Sequence, residues 1–294
     1  MVVDKSVLAA TTRLFSSAVF HQLARKGKSN LFARLVREIG RDRFCTKLRV
    51  SDVFETAFKA IEAPGFRDEY VYKSAIAQKV LLGRHSLRTA AMLTEVRIDG
   101  NKADVVVLNG TSTVYEIKSE RDSLARLPKQ LASYRRAFAS VNVITSEGQL
   151  DEVLEIAPFD VGVLALNRRG KISTVRAATD SPERVIPETL LSALRLQEAI
   201  LVLRDLGLDV PEVPNTQRYG VIRNLFEQQD PATLHASTVN VLRRSRSQLA
   251  LQDFLSNLPS ALQAAALSTP IRRADQQRYV AAVETPFFET EQWA

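Results

Sequence analysis

The sequence predicts an α/β protein: a mixed sheet flanked by helices, preceded by a helical N-terminal arm and followed by a helical C-terminal domain. Three observations carry this. Apolar residues recur at helical spacing through residue 83, adopt a period of two from residue 94, and lose that period beyond Pro182. Five short runs rich in valine, isoleucine and leucine fall within the period-two stretch, with helical segments between them. The charge changes along the same axis. Residues 1–66 hold 12 basic and 6 acidic side chains, residues 67–181 hold 17 and 14, and residues 182–294 hold 11 and 13 with no lysine. The expected divisions are therefore 1–66, a basic arm; 67–181, the α/β core; and 182–294, a helical domain.

In chain order, residues 6–26 and 30–40 read as amphipathic helices. In the second, Leu31, Leu35 and Ile39 recur every four residues, with Arg34, Arg37, Arg41 and Arg43 around that stripe. Ala63-Pro64-Gly65 interrupts the chain, and residues 69–83 form a helix closed by Gly83. The strands are 94–99, 103–108, 113–118, 141–145 and 161–167, with helices at 121–138 and 148–156. Past Pro182 a helix covers 187–207, Gly207 caps it, and Pro211 and Pro214 mark a linker. Further helices are expected near 217–229, 231–242, 246–256, 258–267 and 271–283.

Composition narrows the function. With 45% apolar and 25% charged residues the chain can build a core, and no run is apolar for long enough to span a bilayer. Met1-Val-Val-Asp-Lys lacks the layout of a secretory signal, so the expected location is the cytoplasm, with no membrane partner. One cysteine, Cys45, and three histidines, His21, His85 and His235, exclude a disulfide framework and a Cys/His zinc site. Any metal would sit on carboxylates, which selects hard cations such as Mg2+ or Mn2+. The excess of basic charge before residue 182 suits a polyanion, although it also aids solubility.

The chemistry concentrates in Ala103-Asp104 through Tyr115-Glu116-Ile117-Lys118. Residues two apart on a strand share a face, so Glu116 and Lys118 project together. An acid on an apolar strand is costly unless paired, solvated or metal-bound. Glu95 on the preceding strand adds a third carboxylate. Downstream, Gln130 and Tyr134 stand at i and i+4 on one helical face. The hairpin matters to this chemistry. Asn109-Gly110 invites a two-residue turn, which would set Asp104 opposite Tyr115 and send Asp104 and Glu116 to opposite faces. A shared metal requires an odd loop instead. The form expected is Leu108-Asn109-Gly110 with Gly110 left-handed and Asp104 against Val114, or an equivalent bulge.

This order of helix, Glu strand, Asp strand, Glu-x-Lys strand and Gln-x-x-x-Tyr helix resembles the PD-(D/E)XK nuclease superfamily, in its RecB-like branch, over residues 67–167. Arg67-Asp-Glu-Tyr-Val-Tyr-Lys, Leu82-Gly-Arg-His-Ser, Ala103-Asp-Val-Val and Tyr115-Glu-Ile-Lys further resemble a bacterial nuclease-like family named after a myxobacterial reading frame. The resemblance implies a restriction-endonuclease-like core. It implies that Asp104 and Glu116, with Glu95 and the Ile117 carbonyl, hold Mg2+ or Mn2+. Lys118 would orient or deprotonate the attacking water, and Gln130 and Tyr134 would support the site. Ala103 stands where the superfamily motif has proline. Arg84, His85, Arg135 and Arg136 are candidates for nucleic-acid contact; Glu69 either nears the site or complements its helix dipole.

The function implied is metal-dependent hydrolysis of phosphodiester bonds, in DNA, in a phage-defence, mobile-element or repair setting. The alternatives are a nuclease-fold module that binds nucleic acid or a partner without cleaving, and an adaptor acting through its helical tail. The residues beyond 182, at −2, are expected to pack as a separate unit serving oligomerisation or a protein partner.

Overall fold

The computed structural model describes residues 5–44 and 48–293; Cys45 and Met1–Asp4 lie outside the described residues. The first helices are α1 (Lys5–Arg13), α2 (Ser17–Lys26), α3 (Asn30–Ile39), α4 (Val50–Glu62), α5 (Glu69–Ile76) and the single turn α6 (Leu82–Arg84). Then come β1 (Ala91–Ile98), β2 (Asn101–Asn109), β3 (Thr111–Lys118), α7 (Leu127–Arg135), β4 (Ser140–Ser146), α8 (Leu150–Ile156), β5 (Gly162–Leu166) and β6 (Ile172–Arg176). The rest is helical: α9 (Pro187–Ser192), α10 (Leu196–Asp205), α11 (Asn215–Glu227), α12 (Pro231–Ser245), α13 (Gln252–Ser256), α14 (Ser260–Ser268) and α15 (Arg273–Glu284).

Local chemistry explains several departures from the sequence reading. The first helix is two helices, because Ser16 stands in extended conformation and its hydroxyl caps α2 by accepting from Val19 N–H. Gly83 does not end its helix: α5 runs on through a π-helical segment, Ala77–Leu81, and continues to Arg84. The 187–207 helix is also broken, at Arg195, whose N–H donates to the Glu198 carboxylate 2.8 Å away. Gly207 does follow α10, at φ 75°. The strand Ile172–Arg176 was not expected; its signal is the β-branched Ile172, Thr174 and Val175 after the turn at Arg169-Gly170.

Two compact units divide the chain: Leu81–Gln248, and Met1–Val80 together with Leu249–Ala294. These are not the divisions expected at 66 and 181. In the first unit, the six strands form one sheet in sequential order. β1, β2 and β3 are antiparallel, β3–β4 and β4–β5 are parallel, and β6 returns antiparallel to β5. Every residue of β4 and β5 is buried, as expected of parallel strands covered on both faces. α7 and α8 pack on this sheet, and α12 contributes Val239 and Leu242 to the same core. α9–α12 share a second cluster around Val202, Leu203, Phe226 and Leu234.

The other unit is all helical. Phe15 stacks on Tyr70 at 4.6 Å, Phe20 lies 4.3 Å from Tyr279, and Phe32 lies 5.8 Å from Trp293. Arg278 donates to the last carbonyls of α2, Ala24 and Arg25, at 3.1 Å each. The residues beyond 182 are thus not one separately packed domain. Charge sign and the absence of lysine do not choose a packing partner; the apolar surfaces do. Val239 and Leu242 complete the sheet core, while Tyr279 and Trp293 complete the N-terminal aromatic cluster. Among the described residues no helix is long and apolar enough to cross a membrane.

Candidate active site

The hairpins decide which carboxylates meet. Asp99-Gly100 makes the two-residue turn between β1 and β2, both residues having positive φ and Ile98 pairing with Asn101. Asn109-Gly110 does not. Leu108 pairs with Ser112 and Asn109 with Thr111, which leaves an odd loop centred on Gly110 at φ 70°. The parity is the expected one, but the loop lies one residue further along than Leu108-Asn109-Gly110. The paired positions end at Val105 and Tyr115; one step further sets Asp104 opposite Glu116, where Val114 was expected.

A second irregularity falls at the same place. The β1–β2 ladder omits the step between Thr94↔Val105 and Val96↔Ala103, where Glu95 faces Asp104. Glu95 has φ 58°, a left-handed conformation that costs a non-glycine residue on the order of 1–3 kcal/mol. Alternation breaks here in both strands. Ala103 joins the core with Val106 and Leu108, and Val96 joins it with Leu93 packed alongside. Positions an odd number apart cannot share a face of a regular strand. Glu95 and Asp104 thus occupy the step where both strands change face, and their carboxylates approach within 4.8 Å. Glu95 also pairs with Lys102.

Asp104 takes over a backbone role. Its Oδ2 accepts from Ile117 N–H at 2.7 Å, where a regular ladder would supply a carbonyl. Next along β3, Glu116 and Lys118 are almost wholly buried, at 1% and 4% exposure. Lys118 Nζ donates to Glu116 Oε1 at 2.8 Å and to Gln130 Oε1 at 2.9 Å. Burial pushes the Glu116 carboxyl above the ordinary range, opposed first by Lys118. Tyr134 is fully buried and donates to the Lys102 carbonyl at 2.9 Å, which fastens α7 to the β1–β2 hairpin. Burial raises its phenol, and the negative charges of Glu116 and Asp104 raise it further.

Among the described residues, the carboxylates within 4.8 Å of one another include Glu95 and Asp104 but not Glu116, whose one atom open to a hard cation is Oε2. Glu116 Oε2 is buried with no hydrogen-bond partner, an expensive condition for a carboxylate oxygen that a divalent ion would relieve. Lys118 has three N–H donors and two protein acceptors, so one N–H remains for a water or a phosphate oxygen.

The proposed nucleic-acid contacts do not gather here. Arg84 stands near Tyr115, which points to the face opposite Glu116. His85 accepts from Asn109 Nδ2 at 2.8 Å, five residues along β2 from Asp104. Arg135 binds Asp160 at 2.9 Å, beside Arg184 on the same carboxylate, and Arg136 lies 3.5 Å from Asp99. Arg135 is thus tied to a buried carboxylate, while Arg136 keeps a half-exposed pair with Asp99. Glu69 belongs to the helical unit, where it pairs with Lys73 one turn on. Asp122 went unnoticed in the sequence. Its Oδ2 accepts from Ser119 N–H at 2.8 Å and Ser119 Oγ at 2.7 Å, fixing the loop after Lys118; Ser-x-x-Asp was its signal.

Residues 64–268 match the family described as bacteriophage P4 protein cII, over two thirds of the chain, and the chain belongs to that family. Protein cII of enterobacteria phage P4 is 36% identical over 63 residues, 21% of this chain and 24% of that protein. The alignment thus spans about a quarter of the relative's length. A solved structure of SPO1766, a protein of unknown function from Silicibacter pomeroyi, aligns with 41% of this chain and 83% of its own, at 20% identity and a TM-score of 0.29.

Proposed function

We propose that this chain is a metal-dependent nuclease that hydrolyses phosphodiester bonds in DNA. The observation that carries the reading is the buried Glu116–Lys118 pair, hydrogen-bonded to Gln130, with Glu116 Oε2 lacking a hydrogen-bond partner. Asp104, Glu116 and Glu95 would hold Mg2+ or Mn2+. Such an ion supplies an acidified water and neutralises charge on the phosphate in flight. Lys118 uses its remaining N–H to orient the attacking water. Gln130 also accepts from the ammonium, at 2.9 Å, so that Lys118 keeps its aim when Glu116 turns towards an ion. Tyr134 holds the hairpin that carries Glu95 and Asp104. Membership of a family described by a bacteriophage protein favours a mobile-element setting over housekeeping repair.

The test is incubation of the purified chain with labelled single-stranded, double-stranded, branched and RNA substrates, with and without Mg2+ or Mn2+. Cleavage should require the cation and disappear on chelation, in Asp104→Asn and in Lys118→Met. If no substrate is cut under any of these conditions, the reading falls and a non-cleaving binding module replaces it.

A further inference from the structure

The first turn of α7 carries cations where a helix disfavours them. A helix N-terminus bears partial positive charge, so acidic side chains stabilise it and basic ones oppose it. α7 has Arg126 at its cap and Lys129 in its first turn, with no acid there, and the Arg126 side chain makes no capping hydrogen bond. Both side chains are exposed, and neither has an ion-pair or hydrogen-bond partner among the described residues.

Their positions are set by the candidate site. Arg126 lies one turn before Gln130, on the same helical face, and Gln130 reaches Lys118 at 2.9 Å. Lys129 lies one turn before Ser133, whose hydroxyl accepts from Asn101 Nδ2 at 2.8 Å on the β1–β2 hairpin. The loop leading to Arg126 is pinned at Asp122, whose carbonyl also accepts from Gln149 Nε2 at 3.1 Å. Arg126 therefore lies one helical turn from the residue that holds Lys118, Lys129 stands in the same first turn, and neither cation is paired among the described residues.

We propose that Arg126 and Lys129 form the nucleic-acid-binding lip of this site, taking phosphate oxygens that flank the bond held at Glu116 and Lys118. The proposal rests on the nuclease reading and adds residues that the Asp, Glu-x-Lys and Gln-x-x-x-Tyr pattern does not contain. It replaces Arg135 and Arg136, which are held by Asp160 and Asp99. Phosphate contacts of this kind position a strand without reading its sequence.

The test measures binding of a labelled DNA oligonucleotide to the full chain in chelator, across a series of salt concentrations. Each lost phosphate contact should reduce the slope of log K against log salt by about 0.7 on single strands and 0.9 on duplex. Arg126→Ala with Lys129→Ala should therefore lower the slope by about 1.4–1.8 and raise KM for cleavage severalfold. Arg126→Lys with Lys129→Arg should restore most of the slope. Arg168→Ala with Arg169→Ala removes equal charge elsewhere on the same unit and should change it little. An unchanged slope in the Arg126/Lys129 variant, or an equal fall in the Arg168/Arg169 control, overturns the lip while leaving any observed cleavage intact. A slope that falls as expected in a chain that cleaves nothing upholds the lip and sinks the hydrolytic reading. Absence of binding in the wild-type chain overturns both.

Discussion

Replacing Lys118 by methionine and Glu116 by glutamine, singly and together, isolates the central pair of the candidate site. The two side chains are 5% and 2% exposed and 2.8 Å apart. With an effective dielectric constant of about 20, their attraction at that distance is about 6 kcal/mol. Removing both ions from water costs several kcal/mol each, so the pair as a whole contributes little. Removing Lys118 alone is different, because it leaves a buried carboxylate without its cation, at about 3–5 kcal/mol. Burial already holds the Glu116 carboxyl high, and Lys118 is the main influence opposing that rise. In Lys118→Met the carboxyl therefore moves further up. A carboxyl whose folded pKa exceeds its unfolded value weakens the fold when ionised. The deficit of Lys118→Met should accordingly shrink as pH falls through that raised pKa. Urea melts followed by circular dichroism should show Lys118→Met least stable, with the double variant recovering most of the loss. Cleavage should be absent from all three. A Lys118→Met chain as stable as wild type, paired with a weaker double variant, would refute the buried pair; retained cleavage would refute its role.

Three further substitutions test the packing and ion pairs around the sheet. A Cβ on Gly162 would meet the Asn142 amide and stand 2.8 Å from Ala178 N, so Gly162→Ala should cost about 1–3 kcal/mol in denaturant melts. Arg246 grips the buried Glu198 with Nε and Nη2 at 2.7 and 2.6 Å. Burial would raise that carboxyl, but the guanidinium outweighs it and holds it low. Arg246→Ala should therefore cost about 3–5 kcal/mol, and Arg246→Lys should recover only part, for want of a two-pronged donor. Burial holds His235 below the ordinary histidine range, against the pull of Asp180, while its Nε2 contacts Ser112 Oγ at 2.8 Å. The unfolded chain then binds the proton first, so this residue's share of stability is lost as pH falls below about 6.5. His235→Gln should flatten that segment of a stability-against-pH profile; an equally steep profile would exclude His235 as its source.

Much of the site could be read before the fold was known. Glu116 and Lys118 share a strand face because residues two apart must, and Gln130 and Tyr134 share a helix face because residues four apart do. The odd hairpin loop also followed from requiring Asp104 and Glu116 to meet, against the usual preference of Asn-Gly for a two-residue turn. Its placement did not follow, since parity alone cannot say which of two odd loops forms. Arg135 and Arg136 looked available because a basic pair in sequence shows nothing of its partners; Asp160 and Asp99 reach them only in three dimensions.

By itself the sequence determined whatever depends on short-range geometry: the five strands it marked, the order of helices around them, and the faces on which acids and amides lie. Tertiary structure decided what depends on distant partners. Helices beyond 182 divide between two units according to the apolar surface each completes, with Val239 closing the sheet core and Trp293 the aromatic cluster near Phe32. The left-handed backbone of Glu95 likewise has no local cause. It falls where the β1–β2 ladder skips a step and both strands change face, and there the pairing of the two strands outweighs the small preference of a single residue and brings the glutamate to Asp104.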